Sequence, residues 1–141
     1  MEAAEIVKAM MEKDYFSQWL GIEVIEIQLG YCRLEMKVRT EMLNGFSILH
    51  GGVAFAMADS CFAFACNSRG LQSVSLQASI HFSRPAMEGD VLVAESREVV
   101  FSAQSGVMDI EIRRKGDMKL LASFRGTAFV KKDKPWEAAN Q

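Results

Sequence analysis

Between Tyr31 and Arg39, apolar and polar residues alternate one for one: Cys32, Leu34, Met36 and Val38 against Arg33, Glu35, Lys37 and Arg39. A two-residue period predicts a strand with one buried and one wet face. Ile22, Val24, Ile27 and Leu29 predict a strand before it, with the alternation broken at Ile25, and Gly30 supplies the tight turn between the two. Four more strands are expected downstream, at about 73–82, 90–100, 104–114 and 119–130. In the third of these, Met108, Ile110 and Ile112 alternate with Asp109, Glu111 and Arg113, and Lys115-Gly116-Asp117 predicts the hairpin that follows. Ahead of all the strands, Ile6, Val7, Met10 and Met11 gather on one face of a helix over residues 3–13. Tyr15 to Leu20 predicts a short turn that docks its aromatic side chains. Residues 40–50, with Asn44-Gly45 and no period, read as a loop.

One segment fits neither strand nor amphipathic helix. His50 to Cys66 reads HGGVAFAMADSCFAFAC, apolar on every side, with Asp59 as its one charge. It predicts a helix from about Gly51 to Asn67 or Ser68, stopped by Arg69-Gly70. A helix of that composition must be covered all round. An ionised carboxylate buried without partners is costly, so Asp59 is the leading functional candidate.

The element order is helix, two strands, one wholly apolar helix, four strands. It predicts an α+β fold in which an antiparallel sheet of five to six strands curls around one long central helix. A second copy of the chain is the simplest cover for the helix's remaining side. All 141 residues read as one domain, with an N-terminal helical segment (1–20), a core at about 21–130 and a flexible basic tail (131–141).

Composition narrows the function classes. Half of the residues are hydrophobic, 24% are charged and the formal net charge is −2, which fits a globular protein and gives no basic surface for nucleic acid. No apolar run is long enough to span a membrane, and the charged N-terminus lacks a signal-peptide core. Cys32, Cys61 and Cys66 form no metal or disulfide pattern, so no metal is expected, and a reducing, cytoplasmic setting is.

The helix entrance carries the chemistry. The first N–H groups of a helix lack internal partners and hold partial positive charge. Gly51 and Gly52 leave those groups open to approach, which suits the oxyanion of an ester or thioester under attack. His50 stands just outside, able to donate to the same oxygen or to hold the loop; Asn44 can bond the carbonyl or a water. Gly51 and Asp59 are eight residues apart, or ~12 Å along a helix. A base acting through one water must sit much closer to the reacting carbon. One substrate therefore cannot use both groups of one chain. Two central helices antiparallel across a dyad would bring Gly51 of one chain to Asp59 of the other, giving composite sites at a homodimer interface. Asp59 would then be a general base or a nucleophile. Each feature alone has an ordinary structural reading: glycines for close packing, a structural histidine, an interface aspartate. Together they favour a site.

The segment Asn44-Gly45-Phe46-Ser47-Ile48-Leu49-His50-Gly51-Gly52, followed by Asp59, resembles the hotdog-fold acyl-CoA thioesterases, and most closely their phenylacetate-pathway (PaaI-like) branch. Asn67-Ser68 and Phe82-Ser83-Arg84-Pro85-Ala86 with Gly89-Asp90 add to the likeness, which spans about residues 15–130. The resemblance implies a sheet wrapped around one helix, dimers paired into a homotetramer, Asp59 as the catalytic carboxylate and Gly51 as main oxyanion donor, assisted by His50 and Asn44. It implies that Ser75 positions water. It also implies that Phe82, Arg84, Pro85 and Ala86, with the Ser102–Ser105 loop, bind coenzyme A, which is part of the substrate rather than a cofactor. For Arg84 two readings stand level, a phosphate contact and a local pair with Asp90. The implied reaction is hydrolysis of an acyl-CoA, with an aryl-acetyl or hydroxyphenylacetyl group favoured. The alternative is a non-catalytic acyl-CoA-binding module; a hydratase is disfavoured because His50 precedes Asp59.

Overall fold

The computed structural model describes residues 1–138. The period-2 segments all become strands: β1 (Glu23–Gln28), β2 (Tyr31–Lys37), β3 (Ser73–Phe82), β4 (Val91–Phe101), β5 (Ser105–Arg114) and β6 (Leu120–Val130). They form one antiparallel sheet in the order β1-β2-β4-β5-β6-β3, leaving β1 and β3 at the edges. The helices are α1 (Ala3–Lys13), α2 (Tyr15–Leu20), the apolar α3 (Gly51–Asn67) and α4 (Pro135–Ala138).

Register shows how the sheet makes a bed for α3. Leu34, Ala94, Ile112, Ala122 and Phe82 are successive cross-strand partners, so they lie in one row on one face. Four of them are buried core; Phe82, on the edge strand, extends the row to the entrance of α3. The helix packs against β2 through β6. A tight contact with the sheet is allowed by Gly126 on β6, where an added Cβ would fall 2.8–2.9 Å from the ring carbons of Phe62. Phe62 and Phe55 of α3 both meet Phe124 of β6.

Both ends of α3 are bolted. His50 Nδ1 accepts from the Gly52 N–H at 2.8 Å, capping the N-terminus. At the far end, buried Asn67 donates to the Ala63 and Ser73 carbonyls and accepts from the Ser73 N–H, tying α3 to the start of β3. Ser68 Oγ accepts from the N–H of Gly30, whose φ of 72° makes the β1–β2 turn.

Three expectations need correction. In β1 the register shifts between Val24 and Glu26, so Ile25 is a bulge; Val24 and Ile25 stay over a third exposed, and Leu29 sits in the turn at 68% exposure. The aromatic residues of α2 are not docked. Tyr15, Phe16 and Trp19 face outward, and the buried positions are Ser17 and Leu20. The expected flexible tail is anchored over its described part: residues 131–133 exchange backbone bonds with Gln72, and Trp136 of α4 is buried. Positions 139–141 lie outside the described residues.

Because Gly126 sets the contact between α3 and the sheet, Gly126→Ala should cost about 1–3 kcal/mol through overpacking. An unchanged unfolding midpoint in urea would show that the Phe62 ring has room to move.

Candidate functional site

The loop before α3 is organised by Asn44. Its Oδ1 accepts from the Phe46 and Ile48 N–H groups, and its backbone N–H donates to the Ile48 carbonyl. The loop is tight enough to hold Ser47 at a φ of 60°. The carbonyl half of the amide is thus spoken for, and Nδ2 is the half with no bond among the described residues. The chain then enters α3 between two backbone contacts, Leu49 N–H to the Ala86 carbonyl and His50 N–H to that of Met42. The first pins the helix entrance to the loop that follows β3, and the second ties it back to the turn at Thr40–Met42.

That pinning opens a cavity of about 390 Å³ lined by Asn44, Gly51, Phe82, Arg84, Pro85 and Ala86 together with apolar side chains such as Ile48, Ala54 and Leu121. The volume suits a small-molecule site. Six of the sequence candidates meet here. At the mouth of α3 the two glycine amides differ. The Gly52 N–H is taken by His50 Nδ1. The Gly51 N–H has no partner among the described residues. The Phe82 ring lies against Gly51, where an added Cβ would come within 3.0 Å of it. His50 is exposed; with Nδ1 accepting, a neutral ring carries its proton on Nε2.

Other candidates lie elsewhere in the protomer. Asp59 is on α3, outside the cavity wall and half-buried. Burial lifts its carboxyl above the usual value, and the negative charge of Asp14 adds to the rise. Ser75 is exposed on edge strand β3, next to the bulge at Leu76, and does not line the cavity. Ser102 and Ser105 bond to each other in the β4–β5 hairpin, beside Phe101, whose ring carries the Arg69 guanidinium. That is the far end of α3, so they join no cavity with Phe82.

The two readings of Arg84 now separate. Asp90 pairs with Arg114 and accepts the Met87 N–H. Arg84 donates to the Leu120 carbonyl instead and has no carboxylate partner among the described residues. Its positive charge therefore stays available at the cavity.

The exposed side of α3 is informative too. Besides Gly51, Val53, Phe55 and Ser60, the partly open positions of α3 are four residues on one helical face, Gly52, Ala56, Asp59 and Ala63. Three are glycine or alanine. The cysteines offer no nucleophile: all are free and buried, Cys61 is held well above its usual value by burial, and Cys66 is pushed up to about 12. No group of His, Cys, Asp and Glu suited to a metal occurs among the described residues, and no helix among them is long and apolar enough to cross a membrane.

Sequence reasoning missed a second feature, a hydrogen-bond chain from Asp14 through Ser17 to Ser60, beside Asp59. The Asp14-x-x-Ser17 spacing signals a helix cap, but nothing local announces the link to Ser60.

The thioesterase superfamily model matches residues 46–121. The chain is 42% identical over 118 residues to the acyl-coenzyme A thioesterase PaaI of Escherichia coli, covering 84% of each. It is 30% identical over 129 residues to human acyl-coenzyme A thioesterase 13, covering 89% of this chain and 92% of that one. The structure of E. coli PaaI, from the phenylacetic acid degradation operon, matches with a TM-score of 0.91 at 39% identity, over 94% of this chain and 95% of that one. A hypothetical thioesterase from Streptococcus pneumoniae, solved with coenzyme A, matches with a TM-score of 0.77 at 26% identity, over 80% of this chain and 88% of that one. With one antiparallel sheet curled around a single helix, the chain has the hotdog fold and belongs to the thioesterase superfamily.

Proposed function

We propose that the protein hydrolyses an acyl-CoA thioester to the free acid and coenzyme A, with an aryl-acetyl or hydroxyphenylacetyl group as the favoured acyl part. The observation that carries this reading is the unpartnered Gly51 N–H at the mouth of a cavity that also holds Asn44 and an unpaired Arg84. The names of the E. coli and human relatives, and the coenzyme A in the S. pneumoniae structure, support the substrate class. The phenylacetic acid operon of E. coli PaaI supports the aromatic acyl group.

In this reading the thioester oxygen lies against the Gly51 N–H, with the positive end of α3 behind it. Asn44 offers Nδ2 as a second donor, and His50 offers Nε2–H. Asp59 of a second copy takes a proton from water as the water oxygen adds to the carbonyl carbon, or attacks that carbon itself. In the second case the acyl–Asp59 anhydride left after the C–S bond breaks is hydrolysed by water to the free acid and the carboxylate. The tetrahedral intermediate then collapses with cleavage of the C–S bond, and coenzyme A leaves as the thiol or thiolate. Ser75 helps to hold the water. Arg84 meets a phosphate of coenzyme A, with Phe82, Pro85 and Ala86 lining its path. Coenzyme A is part of the substrate, and the reaction needs no cofactor or metal.

The same reading makes the working unit a homodimer, paired further into a homotetramer. The ~12 Å between Gly51 and Asp59 along α3 and the small-residue face around Asp59 support antiparallel packing of two central helices. The reading includes a cytoplasmic location, supported by three free cysteines.

Two substitutions test the oxyanion donor with one control. Proline is well tolerated at the first position of a helix, and extended His50 (φ −62°, ψ 132°) already suits a following proline. Gly51→Pro therefore deletes the N–H, and Gly51→Ala adds a comparable Cβ near Phe82 while keeping it. Assayed with phenylacetyl-CoA and a panel of aliphatic CoA thioesters, Gly51→Pro should lose a further ~10²–10³-fold in kcat relative to Gly51→Ala. Equal kcat values for the two would remove Gly51 from the chemistry. Asp59→Asn should abolish turnover while thioester binding persists. Binding with no turnover in the unmodified protein would favour the acyl-CoA-binding module instead.

Asp59 also leaves a stability signature. A carboxyl raised in the folded state is more costly to ionise there than in the unfolded chain. That penalty is absent below its ordinary value of 3.8 and is fully present once pH exceeds the raised value. Asp59→Asn should therefore melt higher than the unmodified protein at pH 7, with the difference shrinking as pH falls through the raised value and vanishing below 3.8. A variant that melts lower at pH 7 would contradict the strained-carboxylate account.

A further inference from the structure

The Asp14–Ser17–Ser60 chain does more than cap α2. Capping explains the Asp14 Oδ1 contact with the Ser17 N–H at 3.0 Å. It does not explain why the Ser17 hydroxyl, 1% exposed, sits 2.8 Å from the hydroxyl of Ser60, 43 residues away in α3. Donor and acceptor roles follow from valence. The Asp14 carboxylate only accepts, so the Ser17 O–H donates to Oδ2 at 2.7 Å. Its proton thus committed, Ser17 Oγ accepts, and the Ser60 O–H donates. The chain runs in one direction, from α3 to a carboxylate at the start of α2.

Ser60 adjoins Asp59, so the chain fixes α3 at the residue next to the candidate carboxylate. It does so where the sheet does not reach, on the flank of the helix's open face. Asp14 is also the one charged group of the described residues that acts on Asp59; the other contribution to its raised value is burial. Resting on the reading of Asp59 as the reactive carboxylate, we propose that Asp14, Ser17 and Ser60 are positioning residues, which set the placement of Asp59 on α3 and the electrostatic environment it works in.

Three conservative variants test this. Ser60→Ala removes the donor and should lower kcat on phenylacetyl-CoA by on the order of 3–10-fold with KM unchanged. Ser60→Thr keeps a hydroxyl and should recover most of that loss. Ser17→Ala combined with Ser60→Ala should be no worse than the more damaging single change, because one bond is being removed twice. Asp14→Asn can keep the cap through its remaining oxygen but removes the charge together with the acceptor for the Ser17 hydroxyl, and should move the acidic limb of the kcat/KM profile to lower pH. A wild-type kcat in Ser60→Ala together with an unmoved acidic limb in Asp14→Asn would overturn the proposal. So would a kcat loss in Ser60→Ala that Ser60→Thr fails to recover. If Asp59→Asn is inactive and these variants behave as wild type, the positioning role alone falls. If Asp59→Asn is active, the reading of Asp59 falls first.

Discussion

The structure is organised by one requirement: a helix apolar on every side has to be covered. A flat sheet covers one side of a helix. In the curled six-stranded antiparallel sheet, β2 through β6 cover most of α3, through a row such as Leu34, Ala94, Ile112 and Ala122 that continues across the sheet. What remains partly open includes the stripe of Gly52, Ala56, Asp59 and Ala63, flanked by Val53, Phe55 and Ser60. Three of the four stripe residues are glycine or alanine, which favours close approach of another helix. The same requirement that shapes the fold thus leaves the one charged residue of α3 on the one side still open.

The second consequence is electrostatic. Curling the sheet brings the end of β3 and the loop after it against the N-terminus of α3, where Leu49 bonds Ala86 and Phe82 covers Gly51. The Gly51 amide, without a partner among the described residues, is thereby placed in the lining of a cavity, where its partial charge counts for more than in open water. Asp59 lies two turns further along and cannot serve that point from within the same chain. Separation along the helix, a small open face and a free amide all lead to the same reading, a site completed by a second copy.

The strands and α3 were legible in the sequence because their patterns are local. Alternation at Cys32–Val38 and at Met108–Arg113 needs no knowledge of the rest of the chain. Burial in α2 was not legible. Of its apolar residues only Leu20 is buried, while Tyr15, Phe16 and Trp19 face outward; polar Ser17 is buried beside Leu20, because it sits between a cap and a distant hydroxyl. Hydrophobicity predicts where side chains prefer to be; hydrogen-bond partners across 43 residues decide where this one is. Leu29 failed for a related reason, since the turn at Gly30 removes it from the alternation. In the site, the motif around His50 pointed to the helix entrance, but the fate of Arg84 depended on Arg114 having already claimed Asp90. That competition is invisible until the fold brings three segments together. Ser75 and the Ser102–Ser105 loop, carried over by resemblance, stand apart from the cavity of their own protomer.

Subunit complementation addresses the shared site most directly. Chains carrying Asp59→Asn and chains carrying Gly51→Pro, each inactive alone, can be co-expressed with different tags and purified as mixed dimers. In a composite arrangement one of the two sites in each mixed dimer unites an intact Asp59 with an intact Gly51, so thioesterase activity should return to about half that of the unmodified dimer per mole. Mixed dimers as inactive as either parent would mean that both groups act within one chain, or not at all, and would contradict the account.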